Sequence, residues 1–245
     1  MFFGFYAIMA GLTGEFERGA MAIIAAGIFD GLDGRVARAT GAVSAFGKEY
    51  DSLADFLSFG IAPAVLVYQF ALIPLHRMGW AAAFLFSVCG ALRLARFNVQ
   101  HYQQEERISN RYFTGLPIPA AAAILAGLIL FQINLGAEPV LKSGTTLTEP
   151  WNWVTLIMVY FLAIMMVSTI RFRSFKDMHW HRQRPFLALV VAVVFLAVAT
   201  VHPEATLFFV GCGYLISVLH SHQEYRRLLA EGKEEEEDEV KDLTV

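Results

Sequence analysis

The chain has 245 residues, 56% of them hydrophobic and only 17% charged, with 21 phenylalanines and a mean hydropathy of +0.51. Soluble domains carry about a quarter charged residues, so this composition excludes a disordered chain, a disulfide scaffold and a nucleic-acid module and points to a polytopic membrane protein. The net charge of −3 is unevenly spread: eight acids and two lysines fall in 231–245, which leaves 17 cations against 14 acids in the rest.

Apolar runs follow one another at 2–13, 19–39, 50–73, 79–99, 117–135, 152–170, 185–200 and 204–222. A membrane-crossing helix takes about 20 predominantly apolar residues, so the runs predict an all-α, polytopic membrane helical bundle of about eight transmembrane helices. The first run holds only a dozen residues before Thr13-Gly14-Glu15, as if the chain entered partway into a longer helix. Residues 1–222 read as one membrane domain. Residues 223–245 read as an acidic, disordered tail, because a block of like charges repels itself. Cys89 and Cys212 lie far apart in apolar stretches with no ligand spacing, which predicts buried thiols, and no cleavable signal pattern precedes the first run.

The cations set the orientation. Loops at 13–18, 74–78, 136–151 and 200–204 hold three of them, Arg18, Arg77 and Lys142, and the opposite ends hold the other sixteen. Positive charge collects on the cytoplasmic side, so the 35–48 turn, the 100–116 and 171–184 loops and both termini are expected in the cytoplasm. Trp80, Trp151 and Trp153 stand at span ends, where amphipathic rings favour the headgroup layer.

Four carboxylates interrupt this apolar pattern. Asp30 and Asp33 share a helical face with Gly34, Ala37 and Arg38, and Asp51 and Asp55, four apart, share a face of the next helix. The turn 39–47 is short enough to make the two helices antiparallel neighbours, so the four converge near the cytoplasmic edge. Each carboxylate in the bilayer costs about 2.5–3.5 kcal/mol on insertion scales, and like charges in one pocket demand protons or cations. An all-oxygen set favours Mg²⁺, Mn²⁺ or Ca²⁺. Gly34 leaves room for a ligand, and Arg38 offers a planar donor fork for phosphate. Two readings stay open on spacing: metal-dependent phosphate chemistry, or a cation-coupled transporter with intramembrane carboxylates.

The segment reads Asp30-x-x-Asp33-Gly34-x-x-Ala37-Arg38, then eight residues, then Gly47-x3-Asp51-x3-Asp55. It resembles the signature of the CDP-alcohol phosphotransferases, with every fixed position present. Phe46-Gly47 through Asp55, Ser58-Phe59-Gly60, Ala62-Pro63-Ala64, Ala91 to Asn98 and Thr114 to Ala120 are similar to the membrane-embedded phosphatidylserine synthases. The likeness spans about residues 4–220. It implies a transmembrane catalytic domain over 1–222 in the cell (cytoplasmic) membrane, with its active site facing the cytoplasm and the chain paired as a homodimer.

The same resemblance implies residue roles. Asp30, Asp33, Asp51 and Asp55 would hold two divalent cations, Mg²⁺ or Mn²⁺, and Asp55 would also be the general base. Gly34, Arg38 and Ser44 would contact the CDP-lipid, with Arg38 counted in the catalytic set. Arg93 and Arg96, three apart, share a face on which they either snorkel to headgroups or hold a lipid phosphate or the serine carboxylate, with Asn98 as a further hydrogen-bonding group for the amine. The implied reaction is transfer of the phosphatidyl group from CDP-diacylglycerol to L-serine with release of CMP, among membrane lipids. The alternatives are the same chemistry with glycerol 3-phosphate or inositol phosphate as acceptor, an ether-lipid donor, and, from another class, the transporter.

Overall fold

The computed structural model describes residues 1–40, 44–104, 112–137, 150–168, 171–173 and 205–217. Helix α1 (Phe2–Thr13) closes on Gly14 at φ 78°, where the Gly14 amide donates to Gly11 O and the Glu15 amide to Ala10 O. This left-handed cap satisfies the last carbonyls and lets the chain double back. Helix α2 (Phe16–Thr40) then packs along α1.

Ser44 opens α3 (Ala45–Asp55) by accepting a hydrogen bond from the Gly47 amide at 3.0 Å, an N-cap that replaces one missing helical partner. The rod continues as a π-helical segment Phe56–Ile61, α4 (Ala62–Val67), a second π segment Tyr68–Leu72 and a 3-10 turn Ile73–Leu75. Pro63 has no N–H with which to continue the helical ladder, and the first π segment lies immediately ahead of it. At His76, φ 45°, the chain reverses, and α5 (His76–Gln104) packs back along both π segments.

Strand β1 (Tyr112–Thr114) leads into α6 (Ile118–Asn134), and α7 (Pro150–Val167) leads to β2 (Arg171–Arg173). The two strands pair antiparallel, Phe113 opposite Phe172. The architecture is therefore helical as expected, with one three-residue ladder added where two connections meet. Helix α6 lines the core, with Ala121, Ala122, Leu125 and Ala126 fully buried among α2, α4 and α7. The helix Ala205–Ser217 lies against it, Phe208 over Gly127 and Gly211 over Ile124.

Two described stretches are long and apolar enough to cross a membrane: Phe46–Val99, mean hydropathy 1.9, and Pro150–Val167, mean hydropathy 1.7. The first is folded at His76 into a hairpin, so its 54 residues make two limbs. Helices α1, α6 and Ala205–Ser217 are apolar but shorter. Helix α2 has the length, but Asp30, Asp33 and Arg35 break its apolar run. The expected run at 185–200 and the acidic tail lie outside the described residues.

Candidate active site

Helix α2 carries Asp30 and α3 carries Asp51 and Asp55, and one carboxylate oxygen from each lies within 4.8 Å of the other two. Two helices thus bring together three of the four expected aspartates. Asp33 is exposed one turn further along α2, outside that trio but within electrostatic reach of Asp51. Burial is graded: Asp51 is exposed, whereas Asp30 and Asp55 are half-buried.

The donor set fits a hard cation. Oxygens sharing one ion lie no more than two metal–oxygen bonds apart, and those bonds are about 2.0–2.6 Å for Mg²⁺ and Ca²⁺. The trio, within 4.8 Å, falls inside the limit of the longer bonds and needs only a small closing movement for the shorter ones, and it contains no sulfur or imidazole. Three anions so placed repel one another unless a cation or protons intervene.

The helix changes form directly after Asp55, where the π segment Phe56–Ile61 begins. Widened turns of this kind recur at functional sites because they re-aim side chains and free carbonyls. Within this segment the Gly60 carbonyl accepts a hydrogen bond from Ser87 Oγ of α5 at 3.3 Å. On the opposite flank α1 presses closely: a Cβ on Gly4 would sit 2.6 Å from Ser58 Cα. Only a residue without a side chain permits that approach.

The other expected residues divide. Gly34 is half-exposed on α2, one residue beyond Asp33, and Arg38 lies in the last turns of the same helix with its side chain outside the described residues. Ser44 is exposed, and its oxygen serves as the α3 cap. Arg93 is 8% exposed, donates from Nε to Leu116 O at 3.1 Å and lies over the Phe97 ring at 5.5 Å. Arg96 donates to Val167 O at 3.2 Å, the last carbonyl of α7, where a cation complements the helix dipole. Both arginines thus hold neighbouring elements by backbone carbonyls. Asn98 donates to Ser52 Oγ at 3.0 Å.

Contacts along the α3–α5 hairpin fix the depth of these groups. Asn98 is level with Ser52, and Ser87 and Gly90 are level with Gly60. Arg93 and Arg96 therefore stand at about the height of Asp55. The π segment and the Ser52–Asn98 bond escaped the sequence reading. Pro63 was the available signal for the first, and no spacing rule pairs a serine with an asparagine 46 residues away.

Residues 1–148 match the family model described as CDP-alcohol phosphatidyltransferase. The chain belongs to that family. It is 36% identical over 218 residues to a CDP-diacylglycerol–serine O-phosphatidyltransferase of Helicobacter pylori, covering 88% of this chain and 84% of that protein. A protein of the same name from Mycobacterium leprae is 34% identical over 237 residues, 91% of this chain and 74% of its own length. An archaetidylserine synthase of Methanothermobacter thermautotrophicus is 39% identical over 129 residues, 52% of each chain.

Proposed function

We propose that this member of the CDP-alcohol phosphatidyltransferase family is a CDP-diacylglycerol–serine O-phosphatidyltransferase. Support comes from relatives named for that activity along most of their length and from the carboxylate trio within 4.8 Å. The trio carries the chemical part of the reading.

In the reaction the serine hydroxyl oxygen attacks the lipid-side phosphorus in line, the bond from that phosphorus to the CMP oxygen breaks, and CMP leaves with the electron pair. Asp55 takes the hydroxyl proton, as a general base placed beside the reacting group. The free hydroxyl is a far weaker acid than a carboxylic acid, so proton transfer accompanies attack and needs no covalent enzyme intermediate. Asp30, Asp33, Asp51 and Asp55 hold two divalent cations, Mg²⁺ or Mn²⁺, which when bound offset the charge of the pyrophosphate and of the departing CMP. Gly34, Arg38 and Ser44 contact the CDP-lipid. Arg93 and Arg96, at the height of Asp55, hold anionic groups of donor or acceptor through guanidinium nitrogens beyond those given to Leu116 O and Val167 O.

The bundle sits in the cytoplasmic membrane among lipids as a homodimer, with the trio facing the cytoplasm. The three-against-sixteen bias of the cations supports that orientation. Residues 1–222 form the catalytic membrane domain and 223–245 the acidic cytoplasmic tail.

The test is CMP release by purified protein given CDP-diacylglycerol and Mn²⁺ or Mg²⁺, with L-serine, glycerol 3-phosphate or inositol phosphate as acceptor. Release with serine alone, lost on chelation and in Asp55→Asn, is the expected result. Release with another acceptor keeps the metal site and overturns serine. Cation flux into vesicles without CMP release returns the chain to transport.

A further inference from the structure

Helix α3 supplies two of the three clustered carboxylates, yet none of its described side chains is buried. Phe46, Tyr50 and Leu53 are exposed along one face, at 80%, 50% and 61%. Its packing is chiefly with the π segment that continues it, and it meets α2 and α5 only sparsely. Apolar burial therefore does not set where Asp51 stands.

A polar bond crosses from α3 to α5 beside Asp51. Asn98 Nδ2 of α5 donates to Ser52 Oγ at 3.0 Å, and Ser52 Oγ in turn donates to Lys48 O at 3.2 Å. The hydroxyl is thus used in both directions, accepting from one helix and donating to its own. Ser52 adjoins Asp51 and lies three residues before Asp55, so a tether at Ser52 fixes the turn from which both carboxylates project. Asn98 is itself half-buried on the long α5, whose other contacts with α7 and the π segments hold it firmly.

We propose that Asn98 is a positioning residue for the metal centre, acting through Ser52 to hold Asp51 and Asp55 of the sparsely packed α3 opposite Asp30. The inference rests on the reading of the trio as a cation site. On this inference Asn98 acts through Ser52 and not by contact with the acceptor. Without the bond, α3 pays an ordering cost on each binding event, and cation affinity falls while serine recognition does not.

The experiment is a Mn²⁺ titration of the full-length protein in detergent, read by the loss of the free-ion electron paramagnetic resonance signal, for wild type, Asn98→Ala, Ser52→Ala, the double variant, Ser52→Thr and Asp51→Asn. Interhelical hydrogen bonds in membranes carry modest energies, so each alanine variant is expected to raise the Mn²⁺ dissociation constant about threefold to fivefold. The double variant is expected to be no weaker than either single one, because both delete one interaction. Ser52→Thr keeps the hydroxyl and is expected to match wild type, which separates loss of the bond from misfolding. The Michaelis constant for serine at saturating Mn²⁺ should not move in Asn98→Ala.

Unchanged Mn²⁺ binding in Asn98→Ala and Ser52→Ala, with binding lost in Asp51→Asn, overturns the positioning role and leaves the metal reading standing. A raised Michaelis constant for serine at saturating Mn²⁺ overturns it in favour of direct acceptor contact. Absence of Mn²⁺ binding in wild type overturns both the inference and the metal centre on which it rests.

Discussion

Helices α6 and α3 follow opposite rules of construction. Helix α6 buries Ala121, Ala122, Leu125, Leu128 and Ile129 to 1% exposure or less, and its neighbours wrap it on several sides. Helix α3 buries nothing that is described, and supplies two of the three clustered carboxylates. A packed helix cannot open a wet, multiply charged site without stranding polar groups in hydrocarbon. An exposed one can, but then its position must come from caps, tethers and ligands. Stability and catalysis are therefore expected to respond to different substitutions.

The largest expected effect is on catalysis alone. Asp55→Asn should lower CMP release by about 10²–10⁴-fold, the range for loss of a general base, while the thermal midpoint in detergent stays within a few degrees. A matching loss of stability would mean that α3 is a structural helix after all. Next comes the reverse case. Leu125→Ala on α6 should cost about 2–5 kcal/mol through the cavity it leaves, lowering the thermal midpoint without altering the metal requirement.

Gly115 offers a sharper break in the core. Its φ is +83°, and an added Cβ would lie 2.6 Å from Met166 O, so Gly115→Ala combines backbone strain with a clash. We expect a loss of about 1–3 kcal/mol, read by thermal unfolding, through separation of the α6 entry from the end of α7. Chelation should act on the other region: hydrogen exchange should rise across 44–55 and stay unchanged across 118–134. Smallest of all, Leu53→Ala should change stability by no more than about 0.5 kcal/mol, as at an exposed site. A larger loss would reveal a partner covering that face.

The sequence made most of this legible where a repeat or a charge anomaly existed. The runs at 19–39, 79–99, 117–135 and 152–170 correspond to α2, α5, α6 and α7 within a few residues, because an unbroken apolar stretch of that length has few other solutions. Asp30, Asp51 and Asp55 were findable because carboxylates in an apolar run must be compensated. The π segments were not, since the hydrophobic pattern of a π turn differs too little from that of an α turn to be read. The β1–β2 ladder was also hidden: its strands are three residues each, 57 positions apart at their closest pair, Thr114 and Arg171. The engagement of Arg93 and Arg96 with backbone carbonyls shows the same limit, since spacing places two cations on one face but cannot name what accepts from them.

The close approach of Gly4 to Ser58 has a consequence for traffic. A hydrocarbon tail is about 4 Å across, set by carbon–carbon contact distances, and the seam between α1 and the turn after Asp55 leaves less than that even for one added carbon. At that point no acyl chain can thread between the two elements. Exposed apolar side chains stand instead on α2 and α3, the two helices that carry the trio: Ile28, Leu32 and Val36 on one, Phe46, Tyr50 and Leu53 on the other. A single small residue thereby shuts one side of the site at that point, and a lipid-borne substrate is expected to approach from the α2–α3 side.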